Sequence, residues 1–290
     1  MGLQIFEAGP QASLQGAPRN GFRHYGVPSS GPADPLSLAF ANRLVGNAPT
    51  VTGIEITYGP FAARFLSAVS IGLAGAVAPV RINGVLKSFH ETLRVDADDL
   101  LEIGLPTAGL RTYLAISGGV QADEFLGSTS SYLPAEIGGY GGRALKNGDT
   151  VGVNVSEART VIAEQTPEHL QFPLGNSFAL RASEGPDFEQ SCQALWDRRF
   201  TVTRRASRIG VEMEGEFPKL GQANDLPSAG IFPGALQLPP GGRGYLLLPD
   251  CQTTGGYPHI LQVNRSDRHL LGQIRPGDTI MFLHRTPEAA

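Results

Sequence analysis

The chain has 290 residues, 37 of them glycine and 22 proline, with 17% charged residues and a formal net charge of -4. That length allows two domains of ordinary size, and the glycine and proline content suits many short strands better than long helices. The mild acidity argues against a nucleic-acid or anionic-membrane binder, which would show a basic face, and favours small molecules and proteins as partners.

Taken in chain order, the clearest helix is Pro35 to Val45. Asp34 can cap it, Pro35 suits its first turn, Leu36, Phe40 and Leu44 recur on one face, and Gly46-Asn47 can end it. Alternation of apolar and polar residues predicts strands at Arg111 to Ser117, Phe178 to Ser183, Ile209 to Met213, Tyr245 to Leu248 and Thr279 to Leu283. A second helix is expected from about Asp187 to Asp197, with Phe188, Cys192, Leu195 and Trp196 on its apolar side, which makes Cys192 a core residue rather than a nucleophile. The overall expectation is a mainly β fold.

Lys146-Asn147-Gly148-Asp149-Thr150-Val151 recurs as Arg275-Pro276-Gly277-Asp278-Thr279-Ile280, each copy a Gly-Asp turn before a strand and each near the end of its half. The polar stretch Ser156 to Pro173 is the expected linker, so the domains are placed at 1–165 and 166–290. No apolar run approaches the roughly 18 residues of a spanning helix, and the N-terminus lacks the basic and apolar regions of a signal peptide. A cytoplasmic location is expected. Cys192 and Cys251, the only cysteines, have neither a disulfide framework nor zinc-site spacing, and no metal is expected.

Familiar signatures are missing: there is no Gly-Lys-Ser/Thr phosphate loop, no His-Glu-x-x-His and no Met-Lys dipeptide for biotin attachment. Gly139-Tyr140-Gly141-Gly142-Arg143-Ala144 matches a dinucleotide fingerprint only formally, because no βαβ unit surrounds it, and it reads as a surface loop. The densest chemistry is Asp250-Cys251-Gln252-Thr253-Thr254-Gly255-Gly256-Tyr257-Pro258-His259, which follows an apolar strand. Its paired glycines allow close backbone approach to a ligand, and Gln252, Thr253, Thr254 and Tyr257 can orient it; a turn that caps its own backbone is the alternative. In the first half, Ser30, Gly31 and Asp34 belong to a loop that enters the capped helix, where either an anion or Asp34 itself can occupy the N-terminus. Ser117-Gly118-Gly119 and Gly127 to Ser131 are further small polar loops that could line an oxyanion pocket.

Tyr25-Gly26-Val27-Pro28, Ser30-Gly31-x-x-Asp34, Ala41 to Asn47, Ser117-Gly118-Gly119, Leu126-Gly127-Ser128, Arg208-Ile209-Gly210, Pro233 to Gln237 and Gln252-Thr253-Thr254-Gly255-Gly256-Tyr257-Pro258 together resemble the allophanate hydrolase subunit 2, or biotin-dependent carboxyltransferase, family. The resemblance runs in order from about residue 25 to residue 282 and implies two cyclophilin-like β-barrel domains. It also implies a role like that of the C subunit in 5-oxoprolinase, which opens 5-oxo-L-proline to L-glutamate with ATP. The implied partners are the other two 5-oxoprolinase subunits, B, of the allophanate hydrolase subunit 1 type, and A. On that view Ser30, Gly31, Asp34 and Gln252 to Tyr257 bind the substrate, while Asp250 and His259 are the expected catalytic groups. Cys251 and His259 depart from the family, which often has arginine and lysine there. ATP would use a site shared with a partner. The alternatives are a carboxyltransferase that moves a carboxyl group from carboxybiotin on a separate carrier to urea or a similar amide, and a non-enzymatic regulatory binding partner.

Overall fold

Short apolar runs punctuated by glycine and proline fold as strands, and strands dominate the computed structural model, which describes residues 1–154, 165–171, 173–220 and 226–285. The first eleven are β1 (Gly2–Glu7), β2 (Gln11–Gln15), β3 (Gly53–Thr57), β4 (Phe61–Phe65), β5 (Val69–Gly75), β6 (Val80–Ile82), β7 (Val85–Lys87), β8 (Thr92–Val95), β9 (Leu100–Ile103), β10 (Arg111–Ile116) and β11 (Thr150–Gly152). The remaining nine are β12 (Ser177–Glu184), β13 (Arg199–Ala206), β14 (Gly210–Glu214), β15 (Ala229–Gly230), β16 (Ala235–Gln237), β17 (Gly244–Leu247), β18 (Thr254–Gly255), β19 (His259–Val263) and β20 (Thr279–His284). The fold is mainly β, and each predicted strand agrees with an observed one to within a residue at either end.

The chain divides into two compact units, Met1–Arg19 with Ser30–Leu174, and Asn20–Ser29 with Gly175–Ala290. The change of unit thus falls after residue 174 rather than 165, and the segment 20–29 is counted with the second unit. Long-range docking of that kind leaves no local pattern in the sequence. Arg23 anchors the segment, donating to the carbonyls of Ile231 (2.5 Å) and Gln252 (3.0 Å) with its guanidinium over the Phe232 ring. Residues 156–164 and 172 of the expected linker lie outside the described residues.

In the first unit the strands form two sheets, ordered β11-β1-β4-β9-β6-β7 and β2-β3-β10-β5-β8. Both sheets feed one core, in which Leu3, Phe61, Phe65 and Leu101 from the first meet Leu14, Ile54, Leu73 and Leu114 from the second. The helix α1 (Pro35–Leu44) begins as predicted: Asp34 is its cap and accepts from the Ser37 N–H at 2.9 Å. Its buried face is Leu38, Ala41 and Leu44, however, and not the Leu36-Phe40-Leu44 stripe. The reason is close packing on β5, where a Cβ added to Gly72 would stand 2.5 Å from the Ala41 carbonyl oxygen, so the small residues face the sheet.

The second unit is a closed barrel in the order β12-β19-β16-β17-β14-β13-β20, with β20 returning to pair in parallel with β12. Alternate residues point inward, and Phe178, Leu180, Phe200, Val202, Leu261, Ile280 and Phe282 are all buried. The expected second helix is instead a 3-10 segment, Gln190–Asp197, with no side-chain cap. It is held by burial of Cys192 and Leu195 and by Trp196, which stacks on Phe188 and His284. Its serine, cysteine and tryptophan have modest helix propensity, and the tertiary contacts decide its form. The two Gly-Asp turns are near-copies: Gly148 and Gly277 have φ of 92° and 91°, and Asp149 and Asp278 accept from the N–H three residues earlier at 2.7 and 2.9 Å.

Candidate functional site

The loop 250–259 starts from a buried ion pair. Asp250, just beyond β17, receives the Arg208 Nε at 2.8 Å and Nη2 at 3.1 Å, and the two side chains are only 1% and 3% exposed. The backbones are tied as well, since the Asp250 N–H donates to the Arg208 carbonyl at 3.1 Å and Leu248 donates to Ile209 at 2.9 Å. Arg208 precedes β14 and Asp250 precedes the glycine loop, so this pair fixes the starting points of two chain segments at once. A fork-shaped guanidinium on a carboxylate is the strongest geometry available for the purpose.

From Cys251 onward the loop folds around Gln237, a buried side chain at the end of β16. Gln237 accepts from the Gln252 amide at 3.1 Å and donates to the Tyr257 carbonyl at 3.2 Å. Between these contacts Thr254-Gly255 pairs with Ala229-Gly230 as a two-stranded ribbon, and the Thr253 carbonyl accepts from Ile231 at 3.0 Å. Gly255 is required by this arrangement, because a Cβ there would stand 2.7 Å from the Gln237 amide nitrogen. Thr254 itself is exposed, and the Tyr257 ring is half exposed.

Gln237, Gln252 and Tyr257 form one side of a cleft of about 830 Å³ in the second unit. Adjacent strands supply the floor: the register of β16, β17 and β14 sets Gln237 opposite Tyr245 and Tyr245 opposite Glu212. The irregularity in β13 between Val202 and Ala206 turns Arg204 and Arg205 toward the same space. Glu212 is the focus of the floor. One carboxylate oxygen takes the Thr203 hydroxyl at 2.9 Å and Arg243 at 2.5 Å, and the other takes the Tyr245 hydroxyl and, at 3.5 Å, Arg205. The Tyr245 hydrogen bond, reinforced by Arg243 and Thr203, holds the Glu212 carboxyl down at about 2. Three arginines and one glutamate line the cleft, leaving two positive charges in excess.

Other sequence-predicted residues lie elsewhere. Neither Asp250 nor His259 lines this cleft. The His259 N–H donates to Asp187 at 2.8 Å, and burial lowers the ring's pKa, so the imidazole is neutral at pH 7 and its Nε2 has no hydrogen-bond partner. Cys251, where the family often has an arginine, is buried, with the Arg23 guanidinium 4.0 Å from its sulfur. Burial lifts that thiol to about 11, so it is not a thiolate at neutral pH.

Ser30, Gly31 and Asp34 lie at the start of α1, all three in the first unit. Ser30 has a φ of 52° and is buried with its hydroxyl unpartnered, Gly31 packs a φ of 93° against Pro18, and Asp34 is committed to the helix cap. A buried network sets their position: Glu55 accepts from the Ala33 N–H and the Tyr113 hydroxyl, both at 2.8 Å, and faces Arg111 at 3.3 Å. Ser128, Ser130 and Ser131 are spent on the backbone of residues 14–17, which makes their loop a structural tie. Among the described residues no group of three or more His, Cys, Asp or Glu side chains could hold a metal ion.

Glu212, Tyr245, Arg205 and Arg243 were not anticipated from the sequence. Their local signals were a glutamate inside an apolar strand, Val211-Glu212-Met213, and the Arg204-Arg205 pair in another. Only the cross-strand register joins them.

Two outcomes follow from this geometry. Asp250→Ala strands the buried Arg208 charge and should lower stability by about 3–5 kcal/mol; an Asp250→Ala protein that melts like the parent would contradict the structural role of the pair. Glu212 has a folded-state pKa below its ordinary 4.5, so its contribution to stability is complete above pH 4.5 and is lost as pH falls toward about 2. Chemical denaturation across that window should therefore show a shallower acid decline for Glu212→Gln than for the parent, and parallel declines would contradict the assignment.

Residues 25–284 match the family described as carboxyltransferase domain, subdomain A and B. The chain is 32% identical to the C subunit of 5-oxoprolinase from Escherichia coli strain K12 over 292 residues, covering 99% of this chain and 93% of that protein. The crystal structure of TTHA0988 matches at 32% identity with a TM-score of 0.88 over 97% of this chain, which spans 55% of that one. The crystal structure of the K. lactis urea amidolyase matches with a TM-score of 0.91 at 27% identity over 98% of this chain, which spans 19% of that one. The chain belongs to the carboxyltransferase domain, subdomain A and B, family.

Proposed function

We propose that the chain is the C subunit of a 5-oxoprolinase, acting with the A and B subunits to open 5-oxo-L-proline to L-glutamate at the expense of ATP. The observation that carries this reading is the likeness to a 5-oxoprolinase C subunit over 93% of that protein's length. Opening a lactam by water breaks the ring C–N bond, places the water oxygen on the carbonyl carbon and leaves a carboxylate and an amine. Resonance makes the amide unreactive, which is where ATP supplies the driving force. The sequence has no phosphate loop, so ATP is assigned to a site made with a partner chain.

The contribution of this chain is binding and orientation. Gln252 presents its amide group to the lactam, Tyr257 covers it, and Gln237 holds the loop in shape, while Thr253, Thr254, Gly255 and Gly256 shape the loop without lining the cleft. Of the two proton-transfer groups expected from sequence, Asp250 is engaged on both oxygens by Arg208, and His259 keeps a neutral ring whose Nε2 is buried. Neither group reaches a ligand in the cleft, so proton transfer is assigned to the assembled complex rather than to these two side chains.

The family description favours a second reading, in which carboxybiotin on a separate carrier donates its carboxyl group to urea or a similar amide. Reconstitution separates the two. A mixture of this chain with the A and B subunits should release glutamate from 5-oxo-L-proline with ATP, and omission of this chain should abolish release. Release that continues without the chain would overturn the proposal, and a requirement for bicarbonate and a biotinylated carrier would establish the second reading.

A further inference from the structure

The cleft carries an arrangement beyond what amide recognition requires. A neutral lactam needs a few hydrogen bonds, yet two guanidinium groups here share one carboxylate whose four hydrogen bonds leave it no freedom to turn. Thr203 and Arg243 occupy one oxygen of Glu212, and Tyr245 and Arg205 occupy the other. Glu212 is 1% exposed, while Arg205 and Arg243 are 77% and 49% exposed, so the carboxylate is the fixed point and the arginines extend from it into the cleft. Each guanidinium has five N–H donors, and the bonds to Glu212 use one from each. Arg243 also lies 4.0 Å from Glu214, and Arg204 adds a further positive charge to the cleft lining.

We propose that Arg205 and Arg243, positioned by Glu212, form a two-pronged clamp for an oxyanion, and that this oxyanion is the carboxylate of a carboxylate-bearing cyclic amide. The identity of the amide rests on the 5-oxoprolinase reading; the clamp does not. Planar guanidinium groups match the geometry of a carboxylate and give short, charge-assisted hydrogen bonds. Prior orientation by Glu212 removes much of the ordering entropy that two free arginine side chains would lose on binding. Glu212 stays ionised throughout the neutral range, so its hold on the two arginines does not change there. The same donors would accept a phosphoryl group, and the choice of probes separates the two sources.

The test is calorimetric titration of the full chain with 5-oxo-L-proline, with 2-pyrrolidinone, which is the same ring without the carboxylate, and with inorganic phosphate. The expected result is tighter binding of 5-oxo-L-proline than of 2-pyrrolidinone. Arg205→Gln and Arg243→Gln, both at exposed positions, should each weaken 5-oxo-L-proline by about tenfold and leave 2-pyrrolidinone unchanged. Glu212→Gln discriminates further: it removes a negative charge, so simple attraction would tighten anion binding, whereas loss of positioning should weaken it. Phosphate binding that depends on both arginines, without any binding of 5-oxo-L-proline, would support the clamp and overturn the amide carboxylate as its ligand. Arginine variants that bind every probe as the parent does, or a parent that binds none of them, would overturn the clamp itself.

Discussion

The buried pair of Arg208 and Asp250 is the constraint on which the second unit's site depends. Both walls of the cleft leave from it, one as β14 with Ile209, Gly210 and Glu212 and the other as the loop that carries Gln252 and Tyr257. Charges so fully removed from water are tolerable only as a pair with good geometry, and loss of either leaves the other uncompensated. The carboxylate at 250 therefore has a physical reason to be there that is independent of proton transfer. Its backbone hydrogen bond to Arg208 adds a second tie at the same point.

Between those walls, polar side chains are organised in a row across three neighbouring strands. Gln237 on β16 keeps the glycine loop folded, and its amide takes the volume that any side chain at 255 would need. Tyr245 on β17 and Glu212 on β14 continue the row, and Glu212 gathers the arginines. A barrel strand alternates inward and outward faces, so the apolar residues beside these positions build the core while the row faces the cleft. Shape and charge thus come from one pattern: Val211 and Met213 are buried on either side of Glu212. The first unit uses a comparable device at the start of α1, where Glu55 joins Arg111, Tyr113 and the backbone of Ala33 and so fixes the entry to the helix.

Much of the local structure could be read from the sequence because local chemistry decides it. Asp34 and Pro35 announce the helix start, the alternation at Phe178 to Ser183 and Thr279 to Leu283 marks strands, and each Gly-Asp turn recurs with the same hydrogen bond from the backbone to aspartate. Gln252 and Tyr257 were also visible, as polar residues crowded around two glycines. What could not be read depends on which strands lie side by side. Glu212 and Tyr245 are 33 residues apart and meet only through the β14 and β17 register. Asp250 looked like a free carboxylate because its partner lies 42 residues away. The docking of residues 20–29 on the second unit, through Arg23, is equally invisible to any local pattern.

The proposed seat of the amide is the cleft bounded by Gln237, Gln252, Tyr257 and Glu212. A crystal structure of the full chain grown with 5-oxo-L-proline is the deciding measurement. The expected density lies in that cleft, with the lactam against Gln252 and the carboxylate toward Arg205 and Arg243. Density for the ligand at a different place, with this cleft occupied by solvent alone, would rule the cleft out as the amide site.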